Sequence, residues 1–249
     1  MKITILLGLA LLFTPFLNYR DKGVKETKES IVVAGKKRTY YLYVPEGITP
    51  SQPVPLLVLL HGSDRNGNSL VEKWKALADK EKIILVGPDA MNPRGWEIPN
   101  DGPDFLHELI ELLKSKYPIN QRKVYLFGHS GGAKFGLIMG LVESRYFAAV
   151  VAHGGALTKD AFPFINHAQR KTPLAIVIGD RDQFCPLSIV RDAKAELDKA
   201  MIPVEVTILK GHDHYYYDLA PKINDLVWEF LKKNELHGDQ QYESYDFQK

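Results

Sequence analysis

A serine framed by glycines, Gly128-His129-Ser130-Gly131-Gly132, lies between the apolar run KVYLF and the helical pattern AKFGLIMGLV. A tight strand-to-helix turn of this kind holds a serine in a strained conformation with its hydroxyl exposed, and the flanking glycines remove side chains that would collide with neighbouring elements. Ser130 is therefore the expected nucleophile of an acyl-transfer reaction, with His129 pointing away from the hydroxyl and serving in packing. A serine hydroxyl is weak at neutral pH and needs a base that is itself held by an acid. After such a turn the partners follow in the order Ser, acid, His. Gly179-Asp180-Arg181-Asp182 offers two carboxylates after the run LAIVI, and Gly211-His212-Asp213-His214 offers two imidazoles after VEVTILK. Asp182 and His214 are preferred because each lies farther along its loop and reaches back toward the serine, whereas Asp180 follows the strand directly and suits a turn cap.

The charge that develops on an attacked carbonyl must meet preorganised backbone donors. One is expected from the amide of Gly131 and the other from Ser63, in the loop His61-Gly62-Ser63 after the run LLVLL, with His61 fixing that loop from below. The irregular stretch Met91 to Pro99 offers Trp96 as a pocket wall and Arg94 as a partner for a polar or acidic substrate group, each weighed against a plain surface role. Phe184 is expected to supply an apolar wall beside Asp182, and His153 either approaches the mouth or is a satisfied structural histidine. Cys185 has no identified histidine partner and is not read as a nucleophile. His-Asp-His alternation could serve a metal, but no H-E-x-x-H or comparable ligand frame accompanies it, so neither metal nor cofactor is expected.

These residues need elements to carry them. Two strands, Ser30 to Ala34 and Thr39 to Val44, meet at a Gly35-Lys36 turn. Leu56 to Leu60 is a continuous apolar run too short for a helix, as expected of a strand buried on both faces. Helical patterns at 71–82, 105–116, 132–142, 160–168, 188–200 and 219–232 then alternate with strands at 83–86, 123–127, 148–152, 174–178 and 204–209. That alternation predicts an α/β fold, a mostly parallel sheet covered on both faces, with its site at the carboxyl ends of the strands.

The sequence has 249 residues, 45% of them hydrophobic and 25% charged, enough for one α/β domain with a substantial core. Lys and Arg total 32 against 30 acidic residues, so there is no global field of the kind that draws a protein onto nucleic acid. The single cysteine leaves the core without internal disulfides. Met1-Lys2 precedes a charge-free run, ITILLGLALLFTPFL, which reads as a signal peptide or short membrane anchor over 1–19. Export is the expectation, either as a secreted or periplasmic protein or tethered by the uncleaved segment, with membrane contact only in that last case. The domain is placed at 20–234. The polar stretch 235–249 has no period and is left as a disordered end or a segment laid on the surface.

With these motifs in hand, the chain resembles the α/β-hydrolases, and within them the esterase group that contains polyhydroxybutyrate-depolymerase-like, feruloyl and acetylxylan esterases. The resembling segments are LLVLLHGSDRNG, DGPDFLHELIELLKSKYPINQRKVYLFGHSGGA and the GDRD and GHDH loops, which together span nearly all of 38–232. Asp104-Phe105 matches the group's aspartate and phenylalanine before the helix, while Gly102-Pro103 departs from its usual paired-Asp spelling and Gly131 stands where the group often has Asn. The resemblance implies Ser130, Asp182 and His214 as the triad and a small or oligomeric carboxylic ester as substrate, with no cofactor. A serine peptidase or amidase uses the same triad, and a non-catalytic binding domain uses the same fold. Peptide against ester hydrolysis separates the first two.

Overall fold

The computed structural model describes residues 25–247. The expectation of an exported N-terminal segment lies outside the described residues. Strand β1 (Lys25–Val33) and strand β2 (Lys36–Val44) form an antiparallel hairpin. Its two turn residues, Ala34 and Gly35, both have positive φ, as the right-handed twist of a two-residue hairpin requires. The remaining strands are β3 (Val54–Leu60), β4 (Ile84–Pro88), β5 (Ile119–His129), β6 (Ala149–His153), β7 (Leu174–Gly179) and β8 (Val204–Leu209). They assemble as one eight-stranded sheet in the order β1-β2-β4-β3-β5-β6-β7-β8, parallel from β4 to β8.

Alternation along each strand divides the core between the two faces. Leu56, Val58 and Leu60 point into one apolar cluster, and Leu57 and Leu59 point into the other. The first cluster is closed by helices α2 (Pro103–Lys116), α3 (Gly131–Val142) and α4 (Leu187–Lys199). The second is closed by α1 (Gly67–Glu81) and α5 (Ala220–Leu231). The central strands are therefore buried over most of their length, whereas β1 at one edge alternates between half-buried and exposed positions. Such strands read as unbroken apolar runs, which is why they are visible in the sequence.

Two differences from the sequence reading have physical causes, and one open alternative is decided. Helix α1 begins four residues earlier than its apolar period suggests, because the side chain of Asn66 accepts the Ser69 amide at 3.2 Å and caps a polar first turn. The segment Lys159–His167 is a 3-10 helix instead of an α-helix; Pro163 within it has no amide proton to give. The chain after 234 lies on the body. Leu236 is buried, Tyr242 stacks on His107 at 3.8 Å between centroids, and the amides of Glu243 and Tyr245 donate to the buried carboxylate of Glu143 at 2.7 and 2.8 Å. This is the surface-laid alternative of the two left open for 235–249.

Candidate active site

Residue Ser130 sits between the end of β5 and the start of α3 with φ 56° and ψ −117°. Non-glycine residues with positive φ cost about 1–3 kcal/mol and persist only where the surroundings impose them. Here the imposing contacts are close backbone approaches. A Cβ on Gly128 would lie 2.1 Å from the Gly132 carbonyl oxygen, and one on Gly132 would lie 2.1 Å from that of Leu60. Both glycines are thus required for the helix to start directly against β3 and β5.

The three expected triad residues meet. Ser130 Oγ donates to His214 Nε2 across 2.9 Å, and His214 Nδ1 donates to Asp182 Oδ2 across 2.8 Å, the tautomer that a neutral imidazole must adopt between a hydroxyl and a carboxylate. The other oxygen of Asp182 accepts the amides of Phe184 and Cys185 at 2.9 and 2.8 Å, so the carboxylate is held from both sides. The Asp182 side chain is fully buried and His214 is partly exposed. The rival residues have other work. Asp180 accepts the Gly211 amide at 2.7 Å and closes the start of the histidine loop, Asp213 accepts the Tyr215 amide, and His212 is turned inward to His153. The His-Asp-His run therefore points its polar atoms in different directions.

The loop after β3 lies against the serine. A Cβ on Gly62 would sit 3.3 Å from Ser130 Cβ, and one on Gly131 would sit 3.4 Å from Ser63 Oγ. Gly131 opens α3, where the first amides have no partner inside the helix and the helix dipole is positive. His61 braces this loop as expected. Its Nδ1 donates to the Gly62 carbonyl at 2.8 Å, its Nε2 accepts the Ala90 amide at 3.0 Å, and burial lowers its pKa, keeping it neutral.

Of the substrate-side expectations, Phe184 lies beside His214 and Trp96 packs against the loop after β3. Trp96 donates from Nε1 to the His61 carbonyl at 2.8 Å and stacks on Phe135 at 4.7 Å, between the β3 loop and the second turn of α3. Phe184 is 72% exposed and its ring lies 4.8 Å from that of His214, an apolar surface at the mouth. Arg94 is exposed, and its amide donates to Asn92 Oδ1 at 3.1 Å. The expectation that His153 approaches the mouth is corrected: it is 0% exposed and bonded to two other histidines behind the triad. Cys185 is also buried, and burial first, then the neighbouring Asp182, push its thiol up to about 11, leaving it unreactive.

Two features escaped the sequence reading. Gly154 has φ +61°, and a Cβ there would meet the His214 ring at 3.2 Å. Its position directly after β6 was the available signal. The buried ion pair of Arg38 with Asp101 fixes the loop that carries Trp96, since Asp101 also accepts the amides of Met91 and Glu97 at 2.9 and 2.7 Å. Its partners are 63 positions apart, and no local pattern marks them.

Comparison with known proteins gives the chain's family and fold. A region of 152 residues is 29% identical to a bifunctional acetylxylan esterase/xylanase of Neocallimastix patriciarum, covering 59% of this chain and 22% of that protein. A poly(3-hydroxybutyrate) depolymerase of Ralstonia pickettii is 25% identical over 146 residues, 49% of this chain and 30% of that one. The chain thus spans well under half the length of these relatives. Among solved structures, a ferulic acid esterase superposes with a TM-score of 0.70 at 17% identity, over 84% of this chain and 98% of that one. A structure described as a dipeptidyl aminopeptidase IV from Bacteroides ovatus gives 0.71 at 16%, over 85% of this chain and 36% of that one. Likeness at this level establishes the α/β-hydrolase fold and does not choose between ester and peptide. The family model does distinguish them: residues 31–245 match the one described as "Putative esterase", from the first hairpin through the strapped C-terminal segment, and the chain belongs to the Esterase family.

Proposed function

We propose that the protein is a serine carboxylic-ester hydrolase working through an acyl-enzyme. The observation that carries this reading is the continuous hydrogen-bonded line from Ser130 Oγ through His214 to Asp182 at the carboxyl ends of parallel strands. In the first step His214 Nε2 takes the Ser130 proton as Oγ adds to the ester carbonyl. Asp182 stabilises the imidazolium that forms. The amides of Ser63 and Gly131 receive the developing oxyanion, and Gly131 contributes the positive end of α3. The imidazolium then protonates the departing alcohol. A water attacks the acyl-enzyme with the same histidine as base, and the carboxylic acid leaves.

Acetyl, feruloyl and hydroxyalkanoate esters of small or oligomeric alcohols are the substrate class. The Esterase family match supports an ester over an amide, and the half-buried Ser130 beside exposed Ser63 and Phe184 supports a site open enough for an ester displayed on a larger molecule. The test is hydrolysis of short-chain and aromatic model esters alongside peptide and amide substrates, with the Ser130→Ala protein in parallel. Ester turnover that falls by about 10⁴-fold or more in the variant is expected. Turnover of peptides or amides in preference to every ester would overturn the assignment.

A further inference from the structure

Behind the triad lies a chain of three buried histidines that the two-step mechanism does not use. His153 Nδ1 is 3.0 Å from His129 Nδ1, and His153 Nε2 is 3.1 Å from His212 Nε2. The rings are 5%, 0% and 6% exposed for His129, His153 and His212. His129 and His153 pack on Tyr216, which is itself fully buried and hydrogen-bonded to Asn224. Burial lowers His129 to about 4 and His153 well below its ordinary value, so both are neutral imidazoles. A neutral imidazole has one N–H and one bare nitrogen. His153 must then donate to one neighbour and accept from the other, and a phenyl ring of similar size would leave two buried nitrogens without partners.

The ends of this chain are the two parts whose spacing matters for the reaction. His129 immediately precedes Ser130, and His212 is two residues before His214. The main chain adds a further link at the same point: Ser130 N donates to the His153 carbonyl at 2.9 Å, and the following residue, Gly154, lies beneath the His214 ring. The geometry points to His153 as a positioning residue, which by bridging His129 and His212 holds the nucleophile turn and the general-base loop at reacting distance. The neutrality of His129 also suits the reaction, because the imidazolium formed at His214 stands 5.2 Å from the His129 ring and meets no second cation there. The inference rests on reading Ser130 and His214 as nucleophile and base.

The test uses the full chain with His153→Phe and His153→Gln, the second of which retains one donor and one acceptor. Three quantities are read: kcat and KM on a 4-nitrophenyl ester, the rate at which a fluorophosphonate modifies Ser130, and the thermal midpoint. Misplacement by about 1 Å costs on the order of 10²-fold in rate, so His153→Phe is expected to lose that much in kcat and in phosphonylation while KM stays within about threefold. His153→Gln is expected to recover most of the loss. A folded His153→Phe protein that reacts at the wild-type rate overturns the inference, as does a Gln variant no better than Phe. Should His153→Phe not fold, ¹⁵N spectra of the wild-type imidazoles decide: coupling from His153 across hydrogen bonds to both His129 and His212 is expected, and its absence on either side refutes the bridge. The esterase reading fails separately. If Ser130 is phosphonylated but no ester turns over, the substrate assignment falls and the positioning rates remain readable. If the wild type is not phosphonylated at Ser130, both fall.

Discussion

The carboxyl edge of the sheet has two differently built sides. At the ends of β5, β6, β7 and β8, each functional residue leaves its strand within a few positions and is held by neighbours that leave adjacent strands: Ser130 by the His153 carbonyl, Asp182 by the amides of Phe184 and Cys185, and the histidine loop by Asp180. After β4, the loop that carries Trp96 is instead held by Asp101, which is paired with Arg38 from β2 and is fully buried. The first side is assembled from local geometry repeated strand by strand. The second depends on one long-range ion pair. The triad and the Trp96 loop can therefore fail independently.

The largest effect should fall on the first side. Asp182→Asn removes the acceptor that selects the productive His214 tautomer and is expected to lower kcat by about 10⁴-fold, as measured on a model ester. Asp180→Asn, which keeps an acceptor for Gly211, is expected to stay within about threefold of wild type; comparable losses in both variants would show that the two carboxylates share the role. On the second side, Asp101→Ala strands a buried guanidinium and is expected to destabilise the fold by about 3–5 kcal/mol in urea unfolding. At temperatures where the variant remains folded, its loss should appear in KM for bulky esters before kcat for small ones. Equal losses of kcat on small and bulky esters would erase the distinction between the two sides.

Between these lies Gly154→Ala, which forces a residue at φ +61° and presses a methyl group on the His214 ring. A fall in kcat on the order of 10²-fold with little change in KM is expected, and an unchanged kcat would mean that the histidine loop gives way freely. The smallest effect is a control at the far end of α3. Burial pushes the Glu143 carboxyl up to about 7. Because this folded value exceeds the unfolded one, the stabilisation is fully present below the ordinary carboxylate range and is lost as pH rises through about 7. The unfolding free energy from urea titrations should therefore fall between pH 5 and 8 by about 2 kcal/mol more in the wild type than in Glu143→Gln, with kcat at fixed pH unaffected.

The same division explains what could be read in the sequence. Ser130, Asp182 and His214 were legible because strand-end loops are short and their residue types narrow the choice, and the buried strands were legible as apolar runs. Asp182 over Asp180 and His214 over His212 followed from reach alone; in the structure His214 lies between Ser130 and Asp182, and Asp180 accepts the Gly211 amide. His153 was not placed, because a histidine after a strand looks the same whether it faces solvent or two other imidazoles. The Arg38–Asp101 pair and the packing of the chain beyond 234 were illegible for another reason: their partners are distant in sequence, and neither creates a period or a motif.

The central claim is that Ser130 carries the acyl group. Rapid quenching of the protein during turnover of a slowly deacylating aromatic ester, followed by peptide mass analysis, tests it directly. An adduct with the mass of the acyl group on the peptide containing Ser130, absent from Ser130→Ala, is the expected result. Sustained ester turnover with no adduct on Ser130, and undiminished in the alanine variant, would contradict it.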